Sequence, residues 1–232
     1  NRNRGRDMLP AFEGSEFAAS DSAGRFLTFI ADELLPMVEK RYPVGGFRIL
    51  AGHSNAGAFT LQALARRPEA FHAYLALSPS SGDDRLQALL ARTLARPGLG
   101  ARFLFLGVGD EEADIAVGTT RFAKTIEQSA PPSLTYRYAH FPGESHSSVT
   151  MKAYYRGLEL LGEPDPPSPL NPGRYLSEQQ RRERAWRRRF GLGYDAARPR
   201  GETSAPLPPA TRPILDREIP DERFRSVCGI LK

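Results

Sequence analysis

Cysteine and long apolar runs are almost absent from this chain. Cys228 is the single cysteine among 232 residues, which excludes an internal disulfide framework and leaves the redox compartment open. No stretch approaches the roughly 18 uninterrupted apolar residues that a membrane-spanning helix needs, so we expect a soluble protein. The chain begins at Asn1 and carries no signal-peptide pattern, so we expect either a removed leader or a start partway through a larger protein.

Hydrophobic residues are also few for a wholly globular chain, at 40%, whereas glycine and proline are abundant, at 21 and 20 residues. This composition predicts one folded part and one poorly folded part. The charge divides in the same way, because residues 171–232 hold 14 Arg/Lys against 8 Asp/Glu, and residues 1–170 hold 18 against 19. The net charge of +5 therefore belongs to the C-terminal tail and says little about the folded part.

A serine lies between an apolar run, residues 47–51, and a helix-like segment, residues 58–65. The linking residues read Gly-His-Ser-Asn-Ala-Gly, which is the strand, sharp turn and helix pattern of a nucleophile elbow. Small residues suit so tight a turn, because the strand and helix backbones come close together there. The pattern differs from G-x-S-x-G in having Ala56 before Gly57, and a plain helix N-cap at Ser54 is the alternative interpretation.

Alternating strand and helix patterns fill the first 161 residues. The predicted strands are the apolar or alternating runs 47–51, 73–77, 102–107 and 134–140. The predicted helices with defined ranges are 21–40, which has a bend near Pro36, then 58–65, 119–129 and 148–161. A further helix is predicted from an apolar face of Leu86, Leu89, Leu90 and Leu94. Residues 1–20 are predicted to be a loop. This spacing predicts an α/β fold of three layers, a parallel sheet with helices on both faces and its chemistry at the carboxyl ends of the strands.

Three loops that follow predicted strands carry the residue types of a serine hydrolase. Ser54 follows the strand 47–51, an acidic cluster (Asp110, Glu111, Glu112 and Asp114) follows the strand 102–107, and His146 follows the strand 134–140. Serine, acid and then histidine is the chain order of the catalytic triad in α/β-hydrolases. Within the cluster Glu112 is the predicted acid, and Glu111 and Asp114 are the alternatives.

These residue types are needed because a serine hydroxyl is a weak nucleophile near neutral pH. A histidine accepts its proton during attack and returns it to the leaving group, while a carboxylate fixes the imidazole tautomer. The backbone N–H of Asn55, directly after the serine, is the predicted first donor to the oxyanion. His53 is expected to point away from Ser54 and to pack, and His72 and His140 are expected to be structural. No metal or cofactor is implied.

Four passages occur in a characteristic order: NRNRGRDMLP at residues 1–10, FIADELLP at 29–36, the elbow with Ser78-Pro79-Ser80 downstream, and GESHSSV at 143–149. Together they resemble the esterase family of α/β-hydrolases, which includes enterochelin esterases, feruloyl esterases, S-formylglutathione hydrolase and the mycolyltransferases. The resemblance covers about residues 1–161. It implies hydrolysis of small carboxylic esters or thioesters through Ser54 and His146, with Glu112 at the place of the acid.

The resemblance also implies a missing part. Members of that family have several strands before the arginine-rich passage that opens this chain, and the loop after one of these strands supplies a second oxyanion donor. We therefore expect an N-terminally truncated hydrolase sandwich with an exposed sheet edge. Loss of one oxyanion donor typically costs about a hundredfold to a thousandfold in rate, so a lowered activity is expected.

The tail has a different composition. Residues 162–169 predict a proline-rich linker, residues 176–190 a helix, and residues 195–225 a disordered segment. The arginine run around Trp186 is typical of a solvated charged surface, with binding of nucleic acid or of an anionic membrane surface as the alternative. No nucleic-acid-binding fold surrounds the run, so nucleic acid is not an expected partner. The expected partner, from the predicted triad, is a small ester. The alternatives are an acyltransferase with the same triad, or a non-catalytic α/β domain that binds through its basic tail.

Overall fold

Four parallel strands form the centre of the structure, a computed structural model in which residues 3–11, 21–80, 83–163 and 178–191 are described. The strands lie in the order of the chain and comprise β1 (Ile49–His53), β2 (Ala73–Leu77), β3 (Arg102–Val108) and β4 (Leu134–His140). All three neighbouring pairs are parallel, and their register aligns the carboxyl ends, with His53 opposite Leu77 and Leu77 opposite Gly107. The predicted parallel α/β fold is therefore confirmed.

Alternate residues of the sheet belong to two separate apolar clusters. One cluster unites strand residues such as Tyr74 and Leu104 with helices α4 (Asn55–Arg66), α5 (Asp84–Leu94) and α6 (Ala113–Ser129). The other unites strand residues such as Leu75 and Phe105 with helices α7 (Val149–Leu161) and α8 (Glu178–Phe190). Because both clusters are built on the same strands, the sheet is covered on both faces, as a parallel sheet requires.

Near the N-terminus the structure corrects the predicted loop over residues 1–20. A short helix, α1 (Arg4–Met8), begins after Asn3, whose side-chain oxygen accepts a hydrogen bond from the Arg6 N–H at 2.9 Å. This is an N-cap interaction, which satisfies one of the donors that a helix leaves unpaired at its start. The polar composition that predicted a loop is therefore compatible with one capped turn.

The predicted helix over 21–40 is present, but its middle is widened. It comprises α2 (Ser22–Thr28), a π-helical turn (Phe29–Leu34) and α3 (Leu35–Arg41). In the widened turn the Leu35 N–H donates to Ile30 O, five residues back. Pro36, which follows directly, has no N–H for an ordinary helical bond, and the widened turn lies just before it.

Two helices begin earlier than the sequence predicts, and both differences bear on the polar end of the sheet. Helix α4 begins at Asn55 instead of residue 58, so the turn after β1 is reduced to Ser54. Helix α6 begins at Ala113 instead of residue 119, so Glu112 and Asp114 of the acidic cluster lie at a helix N-terminus. The loops that carry the polar residues are consequently shorter and better fixed than predicted.

Strand β1 is an edge of the sheet in the part of the chain that the structure describes. It pairs with β2 on one side, and its residues Ile49 and Ala51 are exposed, Ile49 to 41%. In contrast, all five residues of β2 are buried. The edge that the sequence predicts is thus visible at β1, where exposed backbone groups can pair with a further strand.

Helix α8 packs against the folded part. Its residues Ala185, Trp186 and Phe190 are buried, and the Trp186 ring lies 4.6 Å from the ring of Phe47, centroid to centroid. Trp186 is therefore part of the apolar core rather than an exposed ring among arginines. The predicted linker beyond Glu163 and the predicted disordered segment 195–225 lie outside the described residues.

Replacement of Trp186 by alanine is expected to lower the free energy of unfolding by about 3–5 kcal/mol, because a large buried ring is removed from the cluster beneath α8. The matched control is Arg184→Ala on the exposed side of the same helix, for which a change within about 0.5 kcal/mol is expected. Urea unfolding of both variants measures the difference. Equal stability of the two variants would contradict the packing of α8.

Candidate active site

Ser54 occupies a strained backbone conformation between β1 and α4. Its φ is +60° and its ψ is −122°, a region that residues with a side chain rarely adopt and that is found where surrounding contacts enforce it. The Ser54 N–H donates to Leu77 O at 3.0 Å, which ties the turn to β2. Gly57 packs so closely that an added Cβ would lie 2.7 Å from the same carbonyl oxygen. Backbone strain and close approach are the local features of a nucleophile elbow.

The turn after β2 holds the other side of the elbow. Ser80 donates its N–H to Ser54 O at 3.2 Å and its hydroxyl to Asn55 Oδ1 at 2.5 Å. Asn55 is the first residue of α4, and the first N–H groups of a helix have no acceptor within that helix. Its backbone N–H can therefore bind an oxygen at the helix N-terminus, where the helix dipole also favours negative charge.

Glu111 binds His146 and is fully enclosed. The two side chains meet at 2.7 Å between Glu111 Oε2 and His146 Nδ1, and the exposed fractions are 0% for Glu111 and 31% for His146. A carboxylate accepts this bond only from a protonated Nδ1, so the neutral imidazole keeps its free electron pair on Nε2. That tautomer is the one in which a histidine can accept a proton from a hydroxyl.

The other oxygen of Glu111 is also bound. Its Oε1 accepts the hydroxyl hydrogen of Ser78 and the N–H of Gly109, the latter at 3.2 Å. Three donors from the ends of three strands thus meet one carboxylate. This compensation explains how a charged group is accommodated without contact with water.

The prediction that Glu112 binds the histidine is corrected by this geometry. Glu112 is exposed and is the N-cap residue of α6, and Asp114 is exposed in the first turn of that helix. Carboxylates are stabilised at a helix N-terminus by the dipole, which accounts for both positions. Because α6 begins at Ala113 with Glu112 as its N-cap, Glu111 is left in the loop before the helix, whereas the sequence pattern predicted a start at residue 119.

Ser78 was not among the residues predicted for the site. It is buried, its φ is +42°, and its N–H donates to Gly107 O at 2.7 Å while its hydroxyl binds Glu111. The sequence Ser78-Pro79-Ser80 indicates only a turn, and no pattern in it reveals which hydroxyl faces inward.

Asp110 fastens the loop that carries His146. Its carboxylate lies 2.8 Å from His140 Nε2 and accepts the Gly143 N–H at 2.7 Å, while its own N–H donates to Glu144 O at 2.6 Å. The Gly143 N–H, with a further contribution from His140, lowers the pKa of Asp110 below its usual value. His140, expected to be structural, serves this loop contact. The histidine loop is therefore bound to the loop that carries Glu111.

His53, expected to point away from Ser54 and to pack, lies beside His146. Its Nε2 is 2.7 Å from the backbone oxygen of His146, and the two ring centroids are 4.5 Å apart. Burial lowers the pKa of His53, which favours its neutral form. The sequence shows only that His53 precedes Ser54, whereas the direction of its side chain depends on the geometry of the turn.

Residues 3–11, 21–80, 83–163 and 178–191 contain neither a metal-binding cluster nor a membrane-spanning helix. No group of three or more His, Cys, Asp or Glu side chains there is arranged to hold a metal ion. No helix in these ranges is long and apolar enough to cross a membrane.

Two curated proteins with a similar sequence are named as esterases. Over 165 residues the chain is 27% identical to ferri-bacillibactin esterase BesA of Bacillus subtilis, a match that covers 67% of this chain and 57% of that protein. Over 65 residues it is 48% identical to a siderophore enterobactin esterase of Emericella nidulans, covering 27% of this chain and 22% of that one. Neither alignment spans two thirds of the curated relative.

Among solved structures, the IroE-like serine hydrolase of Shewanella oneidensis has the same fold. The two structures superpose with a TM-score of 0.70 and 26% sequence identity, over 85% of this chain and 67% of the other. The superposition therefore includes most of the sheet and helices described above.

A sequence model of a protein family, described as "Putative esterase", matches residues 10–151. The matched range contains Ser54, Glu111 and His146, and with them the elbow and both loops of the site. Since this range is more than half of the chain, the protein belongs to this esterase family of α/β-hydrolases.

Proposed function

We propose that this protein hydrolyses carboxylic esters, with Ser54 as the nucleophile, His146 as the general base and Glu111 as the acid that orients the histidine. The observation that carries the proposal is the 2.7 Å contact between the enclosed Glu111 carboxylate and His146 Nδ1. This contact selects the imidazole tautomer that a serine hydrolase needs. The names of the relatives support the reaction class.

The residue next to Ser54 in the chain lies beside His146, which supports the pairing of Ser54 with this histidine. His53, the residue directly before Ser54, is in ring contact with His146 at 4.5 Å. The strained turn at Ser54 is the conformation that exposes a serine hydroxyl at the end of a strand. Both groups belong to the carboxyl end of the sheet, where α/β proteins bind their ligands.

The reaction proceeds by two acyl transfers. Ser54 Oγ attacks the ester carbonyl carbon while His146 Nε2 takes the hydroxyl proton, and the bond to the alcohol oxygen then breaks as that oxygen receives the proton. Water attacks the resulting acyl-serine, gives one proton to Nε2, and releases the carboxylic acid as Ser54 Oγ recovers that proton. Glu111 stays ionised and stabilises the positively charged imidazole that forms in each step.

Asn55 N–H is the oxyanion donor in this proposal. It directly follows the nucleophile and lies at the first position of α4, where helix geometry leaves the N–H without an intrahelical acceptor. A donor of this kind contributes about 3–4 kcal/mol to transition-state stabilisation. The Ser80 hydroxyl supports it indirectly, because it holds the Asn55 side chain.

The substrate class that we propose is the ester-linked siderophores. The names of both curated relatives describe esterases of siderophores, bacillibactin in one case and enterobactin in the other. The match to the first relative extends over 165 residues and the match to the second over 65 residues.

A fluorophosphonate probe is expected to label wild-type protein at Ser54, since a nucleophile activated by a histidine attacks phosphorus as it does an acyl carbon. Mass spectrometry of the labelled peptide identifies the modified residue. Ser54→Ala is expected to abolish labelling, whereas Ser145→Ala, in the exposed part of the histidine loop, is the control that retains it. A folded wild-type protein that reacts at no serine would refute the nucleophile assignment.

Glu111→Gln is expected to lower kcat for p-nitrophenyl acetate by about a hundredfold to ten-thousandfold, because the positively charged imidazole loses its partner. Glu112→Gln, one residue along the chain and exposed, is the matched control and is expected to change kcat by less than about threefold. Steady-state kinetics of the two variants shows which of the two glutamates supports turnover. The reverse order of effects would restore Glu112 as the acid.

Enterobactin and ferri-bacillibactin are expected to be hydrolysed faster, by kcat/KM, than p-nitrophenyl acetate, because a natural substrate contributes binding energy from its whole surface. Chromatography of the products over time measures the rates, with Ser54→Ala as the control for background hydrolysis. Hydrolysis of the simple ester without any turnover of either siderophore would reject the substrate class and leave the reaction class intact.

A further inference from the structure

His53 contacts the loop of His146 in two ways. Its Nε2 lies 2.7 Å from the backbone oxygen of His146, and its ring lies against the His146 ring with centroids 4.5 Å apart and planes at 43°. A carbonyl oxygen only accepts hydrogen bonds, so His53 must carry its hydrogen on Nε2. His53 is half-buried, and the histidine loop around the contact is largely exposed.

We propose that His53 is a positioning residue: its Nε2–H fixes the His146 carbonyl and thereby holds the His146 imidazole in place for proton transfer with Ser54. The inference rests on the proposed function and deepens it, because it adds a fourth side chain to the assembly of Ser54, His146 and Glu111.

Two attachments are needed to fix the orientation of His146. The bond from Nδ1 to Glu111 anchors one ring atom, and Asp110 holds the loop at Gly143 and Glu144. None of these contacts binds the backbone of His146 itself. The bond from His53 fixes the backbone of the same residue. A misplacement of about 1 Å at a reacting group can cost about a hundredfold in rate, so the second attachment matters for the chemistry.

The position of His53 in the chain couples the contact to the nucleophile. His53 is the last residue of β1 and precedes Ser54, whose backbone is held by β2 and by the start of α4. The segment that directs the nucleophile therefore also directs the base. A shift of the β1 end moves both groups together and preserves their separation.

Two substitutions of His53 separate hydrogen bonding from packing. His53→Gln keeps an N–H donor at a similar reach, whereas His53→Phe keeps the ring and the volume but cannot donate. If His53 positions His146, kcat for p-nitrophenyl acetate falls by less than about threefold in the Gln variant and by about tenfold to a hundredfold in the Phe variant, with KM within about twofold in both. A packing role reverses this order, because phenylalanine is the better replacement in an apolar contact.

A second readout does not depend on turnover. The proton between His146 Nδ1 and Glu111 is expected to give a low-field NMR resonance in the full chain, which is retained in His53→Gln and broadened or lost in His53→Phe. His53→Leu is a second variant without a donor and is judged by the same two readouts if the Phe variant does not fold. His72→Phe, at another half-buried histidine outside the site, is the control and keeps both the resonance and kcat.

The outcomes are distinct. A donor-free variant that keeps wild-type kcat and the low-field resonance overturns the inference. A wild-type protein without ester hydrolysis, in which the resonance still follows the donor at position 53, overturns the proposed function and supports the positioning contact.

Discussion

The hydrogen bond between Glu111 and His146 is the interaction on which the rest of the site depends. A carboxylate with no exposed surface is stable only if its oxygens are bound, and here the donors come from the turn after β2, the end of β3 and the loop after β4. The parallel sheet brings these three chain segments to one edge. Strand order and register therefore bring the three donors to the one carboxylate of Glu111 that accepts from all of them.

The serine side of the site is built by different means. Ser54 adopts an unfavourable backbone conformation, which is stabilised by hydrogen bonds to Leu77 and Ser80 and by the close packing of Gly57. The strand before it, β1, is an edge strand among the described residues, so the elbow depends on β2 and α4 for its rigidity. His53 connects the two sides, because it is the last residue of β1, directly before Ser54, and contacts His146 in space.

Much of this arrangement could be predicted from the sequence where one physical signal dominates. Continuous apolar residues defined β2, alternation defined β4, and small residues around a serine indicated the elbow. His146 is singled out because it alone among the histidines follows the last strand in a loop, and the structure places it there in contact with Glu111. In each case the signal lies in neighbouring residues and does not depend on distant contacts.

The remaining features depend on contacts between distant residues. Which of Glu111 and Glu112 contacts His146 depends on where α6 begins and on the inward direction of one loop residue. Adjacent carboxylates look alike in a sequence, so the sequence does not distinguish them. The role of Ser78 and the direction of His53 depend on strained or tight turns. Trp186 was interpreted from its arginine neighbours, whereas its burial follows from the apolar surface beneath α8.

A crystal structure of the protein after reaction with a phosphonate ester tests the central claim most directly, since the bound phosphonate resembles the tetrahedral intermediate. The account predicts a bond from Ser54 Oγ to phosphorus, His146 Nε2 within about 2.6–3.2 Å of that oxygen or of the leaving-group position, and Asn55 N–H bound to the phosphonyl oxygen. Glu111 should remain on Nδ1. An adduct on another residue, or a His146 ring directed away from the adduct while Glu111 keeps its contact, would contradict it.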